Sequence, residues 1–161
     1  MKISWLRARI FASRDADPPN SPQNWRRIAR GHAILLSGIV ALAAALRLFN
    51  LQALGLANHY YSAAIVSMLQ SWRNLFFVAA EPGGSVSVDK PPLGFWVQAA
   101  SARALGVNTL GLILPQIAAG LLSILVVERL VRRSFGRTAS LLAALVLAVT
   151  PVSVAVERNN T

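Results

Sequence analysis

The sequence has no cysteine, two histidines and only six acidic residues among its 161. The missing cysteines exclude a disulfide framework, a thiol nucleophile and cysteine-based zinc or iron–sulfur sites. They leave the compartment open. His59 has no histidine or cysteine companion, and His32 lies at the far end of an apolar run, so a histidine metal site is not indicated. Neither a P-loop nor a GxGxxG fingerprint occurs, which leaves soluble nucleotide-dependent catalysis without support. Charge is scarce as well. Charged residues make up 14%, hydrophobic residues 55%, and the mean hydropathy is +0.51. An ordinary soluble domain carries about 25% charged residues. This profile excludes a chain disordered throughout and points to a membrane.

The charge that is present is basic, net +10, and its placement decides its meaning. Residues 1–30 carry Lys2, Arg7, Arg9, Arg14, Arg26, Arg27 and Arg30 against Asp15 and Asp17. Residues 128–137 carry Arg129, Arg132, Arg133 and Arg137 against Glu128. Both blocks flank apolar runs, the positive-inside pattern of a membrane protein. They are not interleaved with aromatics as on a nucleic-acid-binding surface, so no nucleic-acid partner is expected.

Three runs are long enough for the roughly 20 residues that a membrane span needs. The expected spans are 31–49, 107–127 and 138–156. Residues 1–30 form a basic cytoplasmic tail, with 13–25 disordered, and 31–161 form the membrane part. Pro91 to Ala102 is uncharged but short, and helix parity works only if it does not cross. Residues 50–103 therefore read as one long external loop, with the N-terminus and the 128–137 turn cytoplasmic and Arg158 external. The fold class expected is an all-α membrane protein with three transmembrane helices and interfacial helices in the external loop.

Within that loop, Asn58 to Val78 reads as one helix lying on the membrane. Its apolar stripe is Tyr61, Ile65, Met68, Leu69, Trp72 and Phe76, and the alternative is packing against the spans. Pro82-Gly83-Gly84 is a turn and Ser85 to Val88 is extended. Asp89 and Lys90 then precede Pro91-Pro92, which opens a short helix carrying Phe95 and Trp96. Charges beside hydrocarbon are costly and suggest function. The bland alternative is a solvated ion pair. Lys90 suits a phosphate; Asp89 fits a base, a metal ligand or simply the partner of Lys90. Arg158 offers a second cation on the same side, and such a set fits an anionic lipid headgroup.

The string Ser85-Val86-Ser87-Val88-Asp89-Lys90-Pro91-Pro92-Leu93-Gly94-Phe95-Trp96-Val97-Gln98 resembles the lysine-proline-proline motif of polytopic lipid-linked glycosyltransferases. These are the polyprenyl-phosphate-mannose protein mannosyltransferases and the bacterial aminoarabinose transferases, and the bacterial mannosyltransferase branch is the most similar. Asn58-His59-Tyr60-Tyr61, Leu114-Pro115-Gln116, Arg132 to Arg137, and Thr150-Pro151 through Asn160 fall in matching order over about residues 31–161. The resemblance implies a GT-C-type membrane fold with an external active site. It implies inverting transfer of a sugar, a mannose-like hexose or aminosugar, from a polyprenyl-phosphate donor to an extracytoplasmic glycan, lipid or protein. It places Lys90 near donor phosphate, where Arg158, external by the span count, is the second phosphate-binding candidate, and Asn58, Tyr60, Tyr61 and Asn159 are the candidate substrate contacts. The family's acidic pair is replaced by Ala57 and Asn58, which leaves Asp89 as the catalytic candidate. No cofactor is certain, and a divalent metal stays open. Relatives have many more spans, so the chain reads as an inactive N-terminal fragment of a plasma-membrane, multi-pass enzyme. The alternative is a non-catalytic module that binds a lipid-linked sugar or assists a partner subunit.

Overall fold

The computed structural model describes residues 22–159. The expected tail up to Ser21, with Trp5 and its basic groups, lies outside the described residues, as do Asn160 and Thr161. The described residues are mainly helical, and the one β-type pairing among them is a single bridge, Ala79 to Ser87. Two compact units divide between Ser37 and Gly38.

Helix α1 (Pro22–Leu48) starts with proline at its first helical position, where the missing N–H costs nothing. It therefore begins nine residues before the expected span at 31. Arg26, Arg27 and Arg30 are helical, and so are residues 22–25 of the segment expected to be disordered. In this part of the chain Ile34 and Leu35 are exposed.

In the second unit, a 3-10 turn (Leu51–Leu54) leads to α2 (His59–Met68) and α3 (Trp72–Phe76). The single helix expected over Asn58 to Val78 is thus two. Ser71 ends the continuity because its hydroxyl accepts the Asn74 N–H at 3.1 Å and caps a new helix. The apolar stripe divides at the same place. Tyr61, Ile65 and Met68 (1% exposed) are buried, whereas Trp72 is 78% exposed. The buried half packs with Phe95, Ala99, Leu112, Ile113 and Ile117 in one core. Burying a side chain the size of Ile65 or Met68 contributes about 1.5–3 kcal/mol. The buried face of α2 packs against other helices, which is the alternative given for this segment.

Helix α4 (Pro92–Leu105) starts where the paired prolines require. Helix α5 (Thr109–Val149) is capped by Asn108, whose side chain accepts the Gly111 N–H at 2.9 Å. It is broken at Gly136, with φ 83° and ψ −177°, a conformation open essentially to glycine alone. The break makes a hairpin. The Ser140 hydroxyl donates to Glu128 Oε1 at 3.2 Å, although twelve residues of unbroken helix would separate them by about 18 Å. Residues 128–135, expected as a cytoplasmic turn, are helical, and the reversal is confined to the glycine. Helix α6 (Pro151–Arg158) follows Thr150, whose extended backbone and the proline after it interrupt the expected run 138–156.

Two helices are long and apolar enough to cross a membrane, Gln23–Leu48 and Thr109–Val149. Both turn most of their apolar surface outward; Leu122, Val126, Leu142 and Val146 are exposed. The core helix of a soluble protein hides such side chains, so this surface suits lipid or other apolar protein.

Candidate functional site

The loop between α3 and α4 sets the site. Val78 sits at φ 52°, unusual for a β-branched residue, and is buried. Its carbonyl accepts the Val88 N–H at 3.0 Å, and Ala80 N–H donates to Val86 O at 2.8 Å. Between these strand-like edges the Pro82-Gly83-Gly84 turn is held by Glu81. Its carboxylate accepts Ser85 N–H at 2.6 Å, the Ser85 hydroxyl at 2.9 Å and Gly83 N–H at 2.5 Å. These bonds, the Ser85 backbone foremost, hold the Glu81 carboxyl below its ordinary 4.5. Asn74 ties the turn to α2 by donating to Pro82 O at 3.1 Å and Ser67 O at 3.3 Å. The Trp96 indole N–H donates to Leu75 O at 2.9 Å. Asp89 and Lys90 thus emerge between a pinned hairpin and the start of α4.

Tyr61 organises both of them. Its hydroxyl donates to Asp89 Oδ1 at 3.2 Å, and the Lys90 ammonium stands 4.5 Å from its ring centroid. The ring packs on Phe95, with centroids 5.5 Å apart. Asp89 and Lys90 are exposed, and the ion pairs among the described residues do not include them. The reading of Lys90 and Asp89 as partners in one solvated ion pair therefore fails. Tyr61 stands between them and engages each differently. The ammonium faces a cavity of about 280 Å³ lined by Tyr61, Lys90, Gly94, Phe95, Gln98 and Gln116.

The other sequence candidates lie elsewhere or serve the fold. The Asn58 side chain accepts the N–H groups of Tyr60 at 3.1 Å and Tyr61 at 3.5 Å, as the N-cap of α2. Tyr60 is exposed and packs edge-on against Tyr61. Arg158 donates to Leu46 O at 3.1 Å and Phe49 O at 2.6 Å, satisfying carbonyls at the C-terminal end of α1. Arg158 and Asn159 line a separate groove, with Leu46, Val149 and Val154. The structure does not bring Arg158 to the Lys90 cavity.

Sequence reasoning missed the strongest polar cluster. Arg47, 0% exposed, forms an ion pair with Glu157 through Nε and Oε2, and Nη2 donates to Glu157 Oε1 at 3.1 Å. It also donates to Ala43 O at 3.3 Å, Ala148 O at 3.0 Å and Ser153 Oγ at 3.3 Å. Glu157 lies over Gly120, where any Cβ would collide with its carboxylate.

Residues 89–161 match the family described as dolichyl-phosphate-mannose-protein mannosyltransferase, so the match begins at Asp89 itself. Two proteins of Bacillus subtilis (strain 168) are similar over most of the chain. One, named "Putative mannosyltransferase YycA", is 43% identical over 122 residues, 76% of this chain. The other, named "Putative mannosyltransferase YkcB", is 39% identical over 127 residues, 79% of this chain. These matches support reading the chain as a GT-C-type, mannosyltransferase-like protein. With its two long apolar helices, it is a membrane protein. It spans 18% of the length of each of these relatives. No solved structure matches the chain.

Proposed function

We infer that this chain supplies the donor-phosphate part of a membrane glycosyltransferase site. The enzyme moves a mannose-like hexose or aminosugar from a polyprenyl-phosphate donor to an extracytoplasmic acceptor. The observation that carries this is the Lys90 ammonium, which pairs with no carboxylate among the described residues and is held over the Tyr61 ring beside the cavity that Lys90 lines. A cation placed on an aromatic face keeps its charge available, and the contact itself is worth only about 0.5–1 kcal/mol at an exposed site. A phosphate would therefore displace little when it pairs with the ammonium. At about 30 Å³ of liquid volume per water, a cavity of 280 Å³ suits a phosphate and part of a sugar rather than a prenyl chain. Among the described residues Asp89 Oδ2 has no hydrogen-bond donor while Oδ1 is tethered, which suits a base aimed at an acceptor hydroxyl. A divalent metal at Asp89 is compatible with the same geometry.

The topology proposed with this function has three spans: α1, residues 109–135, and a discontinuous third made of 137–149 and α6. The N-terminus and Arg133 are cytoplasmic, and the loop 50–103 is external. A reporter fused near Ser85 should then report the external side and one near Arg133 the cytoplasmic side; both on one side would mean that α4 crosses.

The chemical test is Lys90→Ala in the complete, membrane-inserted enzyme. Losing one charge-assisted contact, about 1.5–3 kcal/mol, should lower transfer from a polyprenyl-phosphate sugar by about tenfold to over a hundredfold. Insertion should be unchanged. Transfer at the unaltered rate would remove Lys90 from the donor site.

A further inference from the structure

At the other end of α5, one stripe of side chains makes a groove of about 370 Å³ lined by Leu122, Leu125, Val126, Arg129, Leu130 and Arg133. The positions recur at three and four residues, so they share one face of the helix over about 16 Å. Leu122, Leu125, Val126 and Leu130 are exposed, on a helix apolar enough to cross a bilayer. The two arginines close one end of the groove, one helical turn apart. Among the described residues neither side chain makes an ion pair or hydrogen bond, and no acidic side chain lines the groove. Their neighbour behaves differently. Arg132 turns inward and pairs with buried Glu128 at 3.4 Å.

We propose that this stripe is a binding site for one anionic phospholipid, its phosphate between Arg129 and Arg133 and an acyl chain along Leu122, Leu125, Val126 and Leu130. The order of chemistry along the groove is that of the lipid: cationic at the membrane surface, apolar toward the bilayer centre. Two guanidiniums on adjacent turns present planar donors to the same phosphate, a geometry that a zwitterionic headgroup weakens with its own cation. A protein helix in the groove would need acidic groups at one end and would leave the guanidiniums buried. The site does not involve Lys90, so it stands apart from the donor-site reading.

The test uses the full chain purified in dodecyl maltoside and mixed with equimolar phosphatidylglycerol and phosphatidylcholine, with bound lipid read by native mass spectrometry. Phosphatidylglycerol should be retained in preference. At about 1 kcal/mol per basic residue near the headgroups, Arg129→Gln/Arg133→Gln should lower that preference by about 30-fold. Arg129→Lys/Arg133→Lys should keep part of it, which separates a lost site from a misfolded protein. Arg73→Gln/Arg103→Gln removes the same charge elsewhere and should keep all of it; Arg73 and Arg103 are exposed. Inorganic phosphate should not compete. Equal retention of the two lipids, an equal loss in the Arg73/Arg103 variant, displacement by inorganic phosphate, or a lipid-free dimer would each overturn the proposal.

Discussion

Arg47 and Glu157 offer the sharpest test of the packing. Arg47 is fully buried, and its guanidinium meets four acceptor groups: the Glu157 carboxylate, Ser153 Oγ and the carbonyls of Ala43 and Ala148. The carboxylate in turn accepts from Ser153 Oγ at 2.7 Å. Arg47→Met leaves a mostly buried carboxylate with only that hydroxyl. Breaking a buried pair from one side costs about 3–5 kcal/mol. Glu157→Gln is milder, because the guanidinium keeps three other acceptors, and should cost about 1–3 kcal/mol. The double variant is neutral at both positions. It should be more stable than the sum of the single effects implies, with a coupling of about 2–3 kcal/mol. Reversible unfolding in mixed micelles, titrated with dodecyl sulfate, gives all four free energies. Polar contacts in lipid often measure well under 2 kcal/mol because the unfolded state also finds partners. A coupling below about 0.5 kcal/mol would therefore refute the claim that this pair fastens α6 to α1.

Further outcomes follow from single residues. Gly136→Ala should destabilise by about 1–3 kcal/mol from backbone strain alone, since a Cβ there meets nothing within 4 Å; unchanged stability in the same titration would mean that the hairpin does not reverse at this glycine. Tyr61→Phe keeps the ring beneath Lys90 and removes the hydroxyl from Asp89, so transfer should fall only about three- to tenfold, because Asp89 is exposed and water can take the hydroxyl's place. A loss as deep as that of Lys90→Ala would contradict separate roles for ring and hydroxyl. The Glu81 carboxyl is held below 4.5 by Ser85 and Gly83. A depressed value means that its contribution to the turn is complete above 4.5 and disappears as pH falls through the lowered value. Amide exchange at Gly83 and Ser85 should accelerate only in that acid range, and protection that persists in strong acid would refute the Glu81 tether.

The parts legible in the sequence were those governed by one residue type at a time. Long apolar runs became α1 and α5, Pro82-Gly83-Gly84 became a turn, and Pro91-Pro92 opened α4 directly behind Lys90. Legibility failed where two signals competed. The aromatic stripe through Trp72 and Phe76 has helical spacing, but serine is a favoured N-cap and Ser71 starts a new helix inside it. Asn58 was open to the same reading: an asparagine just before a helix is an N-cap before it is a ligand. In the 128–137 block, charge was read as a turn. Arginine is a good helix former, and only Gly136 interrupts the helix.

The buried pair was concealed by sequence distance rather than by weak chemistry. A charge inside an apolar run needs a partner, because leaving it bare in hydrocarbon is costly. Arg47 is such a charge, near the end of the first run. Beyond residue 31 the acidic residues are Glu81, Asp89, Glu128 and Glu157; Glu128 and Glu157 each follow directly on an apolar run, but only Glu157 falls at the end expected to be external, where Arg47 also lies. That elimination alone would have joined Arg47 to Glu157 across 110 residues. It would also have reassigned Arg158, because a helix that docks Glu157 on Arg47 brings the next side chain to the open carbonyls at the end of α1. Arg158 is found there, bonded to Leu46 and Phe49. The proposed phosphate contact then rests on Lys90, whose ammonium pairs with no carboxylate among the described residues and stands over an aromatic ring.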